Sequence, residues 1–387
     1  MDLDRPLPLL GGLSASTFMR RHWQKKPLLV RAALRDPMPG FDRRRLFDLA
    51  ERGDVESRLV VRAGARWTLR AGPLRRRSLP PLARAGWSLL VQGVDLHEDA
   101  AHRLLGRFRF IADARLDDVM VSFASDGGGV GPHVDSYDVF LVQLAGMRRW
   151  QVGRCREPRL RTDVPLKMLA DFAPQHDWLL EPGDMLYLPP GWGHDGTAVG
   201  SCLTASVGFR APESRSLAAD VIQRMVDAVV DERAFGDETS RAALYRDPGM
   251  AATSSPARIP PALRDFADRA ITALLADAGE RACALGEALS EPKPGTWFDA
   301  GRGLPDDRDL ALDRRTRMLY DDRHVFINGE SYRTAGRDAT LMRRLADQRR
   351  LDAGALAQLS PEASELLDQW SRAGWCGAAQ PFEEDPT

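Results

Sequence analysis

Lysine is nearly absent. Lys25, Lys26, Lys167 and Lys293 are the only four, so almost all of the 54 basic residues are arginine. That bias fits genomic composition and by itself singles out no function. Cysteine is scarce too: Cys155, Cys202, Cys283 and Cys376 stand far apart, with no Cys-x-x-Cys pair. Such spacing argues against a disulfide scaffold and for a reducing compartment. No apolar run approaches the roughly 20 residues that a bilayer span requires. The start, Met1-Asp2-Leu3-Asp4-Arg5, also lacks the basic and apolar stretches of a secretion signal. The expectation is a cytoplasmic protein with no membrane partner. Wholesale disorder is excluded as well, because 43% of the residues are hydrophobic and can build a core.

The chain is long enough, at 387 residues, for two or three domains. Its net charge of −1 hides an asymmetry. Residues 1–85 carry 19 Lys+Arg against 8 Asp+Glu, a net +11, and the remainder carries 35 against 47, a net −12. A segment of one sign can mark a surface for an anionic partner such as RNA, or it can be an ordinary solvated face.

Three regions separate by pattern. Up to about residue 210, Gly and Pro punctuate short β-type segments: Trp87–Gln92, Val119–Phe123, Val139–Leu144, Arg149–Val152, Met185–Leu188 and Cys202–Phe209. Many short strands without strand–helix alternation predict a sandwich or jelly-roll architecture rather than a doubly wound nucleotide fold. The period then changes: Leu217, Val221, Met225 and Val229 recur every four residues after Pro212. A Pro-, Ser- and Gly-rich loop follows, and a second helical segment is expected over about Ala262–Leu289. Residues 301–307 read as a linker. Beyond it, Thr316–Tyr320 and His324–Ile327 suggest a hairpin, and helices are expected over about Ala339–Asp352 and Pro361–Ala373, a small winged-helix-like domain. The division is therefore 1–210 β-rich, 211–300 helical, 301–387 C-terminal.

The stretch that carries chemistry is Gly127-Gly128-Gly129-Val130-Gly131-Pro132-His133-Val134-Asp135. In an extended segment, side chains two apart point the same way, so His133 and Asp135 can grip one metal. His194 follows 59 residues after Asp135, delivered by Pro189-Pro190-Gly191-Trp192. Two imidazoles and one carboxylate on one face of Fe(II) leave three coordination positions open for a bidentate cosubstrate and O2. Arg148 and Arg149 follow a predicted strand, and a guanidinium offers two parallel N–H bonds to a carboxylate such as the distal end of 2-oxoglutarate. The glycine run lacks the Lys-Ser/Thr of a phosphate loop and leads straight into His133.

These motifs, together with Arg148-Arg149-Trp150, the run from Glu181 to Gly191, Ser206-Val207-Gly208-Phe209-Arg210-Ala211-Pro212 and His22-Trp23-Gln24-Lys25-Lys26-Pro27, resemble the JmjC-type ribosomal oxygenases, most of all the bacterial YcfD (RoxA) group. The resemblance is dense from about residue 15 to 215 and architectural beyond. It implies a mainly β catalytic core of the double-stranded β-helix, cupin/JmjC-like type, then an α-helical dimerisation region, then a winged-helix-like C-terminal domain. It further implies that His133, Asp135 and His194 hold Fe(II), and that Arg148 with Ser122 binds the distal carboxylate of 2-oxoglutarate. Met147 and Thr204 depart from residues common in the group. The implied reaction couples decarboxylation of 2-oxoglutarate, giving succinate and CO2, to O2-dependent hydroxylation of a ribosomal protein. The implied target is the β-carbon of an arginine in large-subunit ribosomal protein sixteen. For such a cationic side chain Asp126, Tyr137 and Asp138, which flank the motif, form a candidate pocket. The plainer alternative is that Tyr137 packs in the core and Asp126 caps a turn.

Alternatives are a histidine or other side-chain hydroxylase of the same class, and a non-catalytic cupin-like binding or scaffold protein. The expected partners are the ribosomal substrate and a second copy of the chain. A basic substrate would be drawn to acidic surface near the site rather than to residues 1–85. The favoured reading of that segment is internal charge balance against its own fold, with direct RNA contact the less favoured one.

Overall fold

A computed structural model describes residues 2–235, 243–248, 250–305 and 308–379. The chain divides into two compact units, Met1–Ala211 and Pro212–Thr387.

The first unit opens with α1 (Ala15–Arg21), β1 (Leu28–Val30) and α2 (Arg43–Ala50), followed by the hairpin β2 (Ser57–Ala63) and β3 (Arg66–Ala71). Next come β4 (Trp87–Val91), α3 (Asp99–Gly106), β5 (Leu116–Ala124), β6 (His133–Val134), β7 (Asp138–Arg154), β8 (His176–Leu180), β9 (Met185–Leu188) and β10 (Trp192–Phe209). The ten strands form one sheet in the order β1-β9-β7-β10-β5-β4-β2-β3, with β6 paired to β10 and β8 to β7. Every recorded pairing in it is antiparallel, the core type expected.

The segments read as Val139–Leu144 and Arg149–Val152 are one strand. β7 runs on through Gly146, whose backbone is left-handed (φ 64°), and the pairing with β10 slips between Val199 and Thr204 at the same place. A bulge therefore looked like a strand end. The three early helices were not legible as periodicity because each spans only seven or eight residues. Two of them are capped: Ser14 accepts a hydrogen bond from the Thr17 amide at α1 and Asp42 one from the Arg45 amide at α2.

Alternation along β7 sorts side chains between two layers. Phe140 and Val142 join a large core with Phe18, Phe47, Trp87, Phe108 and Phe123 beneath the helices. Val139 and Leu141 face the other way, packing with Trp150, Val152, Leu180, Leu186 and Leu188. The functional cavity lies on this second face.

The second unit contains α4 (Ser214–Phe235), α5 (Pro261–Ala276) and α6 (Ala278–Ser290). The single helix expected over Ala262–Leu289 is two. Asp277 breaks it, with extended backbone and a carboxylate that accepts the Gly279 and Glu280 amides as the cap of α6. Then follow β11 (Leu310–Leu312), β12 (Met318–Tyr320), β13 (His324–Ile327), β14 (Glu330–Arg333), α7 (Gly336–Gln348), β15 (Arg350–Leu351), α8 (Ala353–Leu356), α9 (Pro361–Arg372) and β16 (Cys376–Ala378). This is the winged-helix-type mix expected, with strand orders β12-β13-β14 and β15-β11-β16. α6 is tied to the β13–β14 hairpin, where Ser331 donates to Glu287 and the Gly329 amide donates to Ser290. Residues 306 and 307 of the expected linker lie outside the described residues.

Candidate active site

Strand pairing brings the two histidines together. β6 lies against β10 with His133 directly opposite His194, and their ring centroids are 4.2 Å apart. Asp135 closes the group: its Oδ2 lies 3.5 Å from His194 Nε2, and one ligand atom from each residue falls within 4.8 Å of the others. Among the described residues this is the one cluster of three or more such donors that could hold a metal ion. Each histidine hydrogen-bonds a backbone carbonyl through Nδ1, His133 to Gly131 at 2.9 Å and His194 to Trp192 at 3.1 Å. A carbonyl only accepts, so Nδ1 carries the proton and the Nε2 lone pair is free to coordinate. Burial, reinforced by His133, pushes the His194 imidazole down to about 4, so it is neutral at physiological pH. Two imidazoles and a carboxylate suit a first-row divalent metal.

The glycine run earns its residues by close approach. A Cβ on Gly129 would sit 2.5 Å from the Gly196 carbonyl oxygen, so only glycine lets the loop lie on β10 at this point.

Arg148 shares the cavity with the triad and is 4% exposed. It donates to Ser122 Oγ and to the Gly196 carbonyl, both at 3.1 Å, while its Nε has no partner. Its guanidinium lies over Trp150 at 4.9 Å. Burial depresses its pKa because no carboxylate pairs with it, and a buried cation with an unused donor is costly to maintain without an anion. This orphaned donor fits the carboxylate of a small dianion. Gly196 makes the room: a Cβ there would be 2.7 Å from Arg148 Nε and 2.6 Å from the Trp150 ring.

The cavity has a volume of about 240 Å³ and is lined by, among others, Ser122, His133, Asp135, Tyr137, Arg148 and His194. Tyr137 is therefore brought to the site, and burial together with Asp135, Asp118 and Asp117 pushes its phenol pKa up. The other two candidates for the cationic pocket are not brought there. Asp138 follows the opposite phase of β7. It is wholly buried, accepting from Tyr187 at 2.6 Å, Gln24 at 3.1 Å and Arg115 at 3.2 Å, which is a structural role. Asp126 is exposed and accepts the Gly200 amide at 2.8 Å, so it closes a turn. The carboxylates that act on Tyr137 besides Asp135 are Asp117 and Asp118 on β5. Met120 and Ser206, two more lining residues, were also missed. Their only sequence signal was inward phase on strands whose pairing was unknown.

An antiparallel β core that presents a two-histidine, one-carboxylate cluster beside a buried anion-binding arginine defines the class: a metal-dependent oxygenase-type site on a cupin-like scaffold. The comparisons agree. Residues 103–217 match the JmjC domain family and residues 282–377 match the ROXA-like winged helix. The chain is 37% identical over 251 residues to the ribosomal protein uL16 3-hydroxylase of Escherichia coli K12, a match spanning 63% of this chain and 62% of that protein, just under two thirds of its length. The X-ray structure of Escherichia coli ycfD superposes with a TM-score of 0.79 at 30% identity, covering 94% of this chain and 98% of that one. A YcfD structure in complex with cobalt and 2-oxoglutarate gives a TM-score of 0.75 at 29% identity, covering 93% and 96%. The chain belongs to the JmjC-type ribosomal oxygenases.

Proposed function

We propose that this protein is an Fe(II)- and 2-oxoglutarate-dependent hydroxylase that modifies an arginine β-carbon in large-subunit ribosomal protein sixteen. The observation that carries the reading is the shared cavity, with the His133–Asp135–His194 cluster and the unpaired Arg148 Nε opening into it. Bound iron with 2-oxoglutarate supplies the O2-activating, oxidising chemistry. The chain's own residues do the rest. His133, Asp135 and His194 would hold the metal, with Nδ1 protons anchored on carbonyls so that Nε2 points inward. Arg148, oriented by Ser122, would bind the distal carboxylate. Tyr137 offers an aromatic face to a guanidinium. The names of the relatives, a uL16 3-hydroxylase and a YcfD that binds 2-oxoglutarate, support the substrate and cosubstrate.

The same reading makes the protein a cytoplasmic homodimer whose helical part, 211–300, pairs two copies ahead of a C-terminal domain, 301–387. Exposed apolar residues on α4 and α5, including Ile222 (45%), Val226 (42%) and Ile271 (57%), support that pairing. No described helix is long and apolar enough to cross a membrane.

The test is succinate release from 2-oxoglutarate under Fe(II) and ascorbate, together with mass spectrometry of ribosomal proteins from cells with and without the gene. Stimulated turnover that is lost in His133→Ala, and one added oxygen on one arginine, are expected. Equal turnover in wild type and His133→Ala overturns the oxygenase reading, and oxygen on a histidine instead overturns the arginine assignment.

A further inference from the structure

The arginines of residues 1–85 are not neutralised by the fold. Among the described residues, five of that segment's basic side chains come within 4 Å of a carboxylate: Arg31, Arg45, Arg52, Arg58 and Arg76. Only Arg31, with Asp184, and Arg45, with Glu98, reach a carboxylate outside the segment. Direct pairing with the rest of the fold is therefore limited to these two residues, and most of the segment's basic side chains stand at the surface.

Part of that excess lies at one edge. β3 is the edge of the sheet; the β2–β3 hairpin carries Arg62, Arg66 and Arg70, and the segment after it, with a short 3-10 helix at Arg76–Ser78, carries Arg75, Arg77 and Arg84, all exposed and none on a carboxylate. The register divides the hairpin between two faces that meet at this edge. Arg66 and Arg70 project from one face, while Arg62 stands opposite Trp67 on the other. Arg62 lies over the half-buried Trp67 ring at 5.5 Å, leaving an indole beside a guanidinium. The second face continues inward, where Arg58 and Leu69 line the metal cavity.

We propose that the β2–β3 edge is an RNA-binding surface beside the mouth of the active site. The chemistry favours RNA over an acidic protein. Arginine forks match phosphate oxygens in pairs, a row of them follows a repeating backbone charge, and an aromatic ring among them can stack a base. A basic ribosomal-protein segment would be repelled here, so this edge fits the nucleic acid rather than the substrate. Placing that RNA next to a ribosomal substrate rests on the proposed function. Binding itself does not, and it is measured without turnover.

The experiment uses the full-length protein and a short fluorescein-labelled RNA hairpin, with fluorescence anisotropy between about 50 and 200 mM salt. The variant is Arg66→Gln/Arg75→Gln/Arg77→Gln/Arg84→Gln. None of these four lines the metal cavity or holds a side-chain partner, so turnover on a free substrate peptide should match wild type. Wild-type affinity should fall linearly in log–log with salt. The variant's slope should be shallower by about 3, at about 0.7–0.9 per lost phosphate contact, with binding about a hundredfold weaker at the lowest salt. No RNA binding by wild type, a wild-type salt slope below about one, or unchanged binding by the variant overturns the proposal. Displacement of the hairpin by polyglutamate as readily as by unlabelled RNA of equal charge also overturns it, in favour of an acidic protein partner.

Discussion

The two units bury different chemistry. In the first, the groups removed from water include Asp118, Asp138, Gln143, Arg148, Asp184 and His194. In the second, the buried polar residues among those described are Ser290, Thr316 and Ser371, all small hydroxyls, around a core of Leu310, Leu345, Leu367 and Trp370. Burying an ionisable group is expensive unless it is bonded or used. Asp138 is bonded, by Tyr187, Gln24 and Arg115. Arg148 and His194 are only partly so, and they are the groups that face the cavity. The contrast separates a unit that buries ionisable side chains, two of them facing a cavity, from one whose fully buried polar groups are hydroxyls.

The sharpest way to break this contrast is His133→Ala. It should reduce 2-oxoglutarate turnover by at least a thousandfold, more than 4 kcal/mol in barrier, while urea unfolding of the metal-free protein barely moves. Loss of both activity and fold would make His133 a structural residue. Next is Trp370→Ala in the second unit. Trp370 is 2% exposed and packs edge-on against Tyr332, so its loss should destabilise that unit by about 3–5 kcal/mol in denaturant unfolding and leave first-unit metal binding intact.

A pH series comes third. Because burial and His133 lower the His194 pKa from 6.5 to about 4, the unfolded chain accepts a proton between those values that the folded site refuses. Stability of the metal-free first unit should therefore be whole above pH 6.5 and fall as pH drops toward 4, by up to about 3 kcal/mol. His194→Gln should flatten that slope in unfolding measured from neutral pH downward, and a slope that persists would assign the acid sensitivity elsewhere. The smallest effect is expected from Gly196→Ala. The added methyl displaces Arg148 and the Trp150 ring, so KM for 2-oxoglutarate should rise about tenfold, roughly 1.4 kcal/mol, with a smaller change in kcat. An unchanged KM would mean that Arg148 does not position the cosubstrate.

Legibility differed by residue for physical reasons. His133 and Asp135 were readable because a spacing of two in an extended segment fixes their common direction. His194 and Arg148 were readable as types and neighbours of turn and strand signals. Asp138 was misassigned because it adjoins Tyr137 in sequence, yet the pleat sends adjacent residues to opposite faces, one to the cavity and the other into the helix-covered core. Asp117 and Asp118 were passed over because only the pairing of β5 with β10 brings that strand beside the site. The bulge at Gly146 hid the continuity of β7, and Asp277 hid a break between two helices.

By itself, the sequence determined the chemistry on offer: the ligand types, the glycine run that lets a loop lie against β10, the guanidinium of Arg148, and the excess of arginine before residue 86. These are properties of residue type and short spacing, so no folding is needed to read them. Tertiary structure alone decided which of those groups meet. Cross-strand register set His133 against His194, desolvation without a partner left Arg148 Nε open, and the position of β3 at a sheet edge left its arginines facing water. Pairing and burial act between residues far apart in the chain, and their energies depend on distances that no local pattern contains.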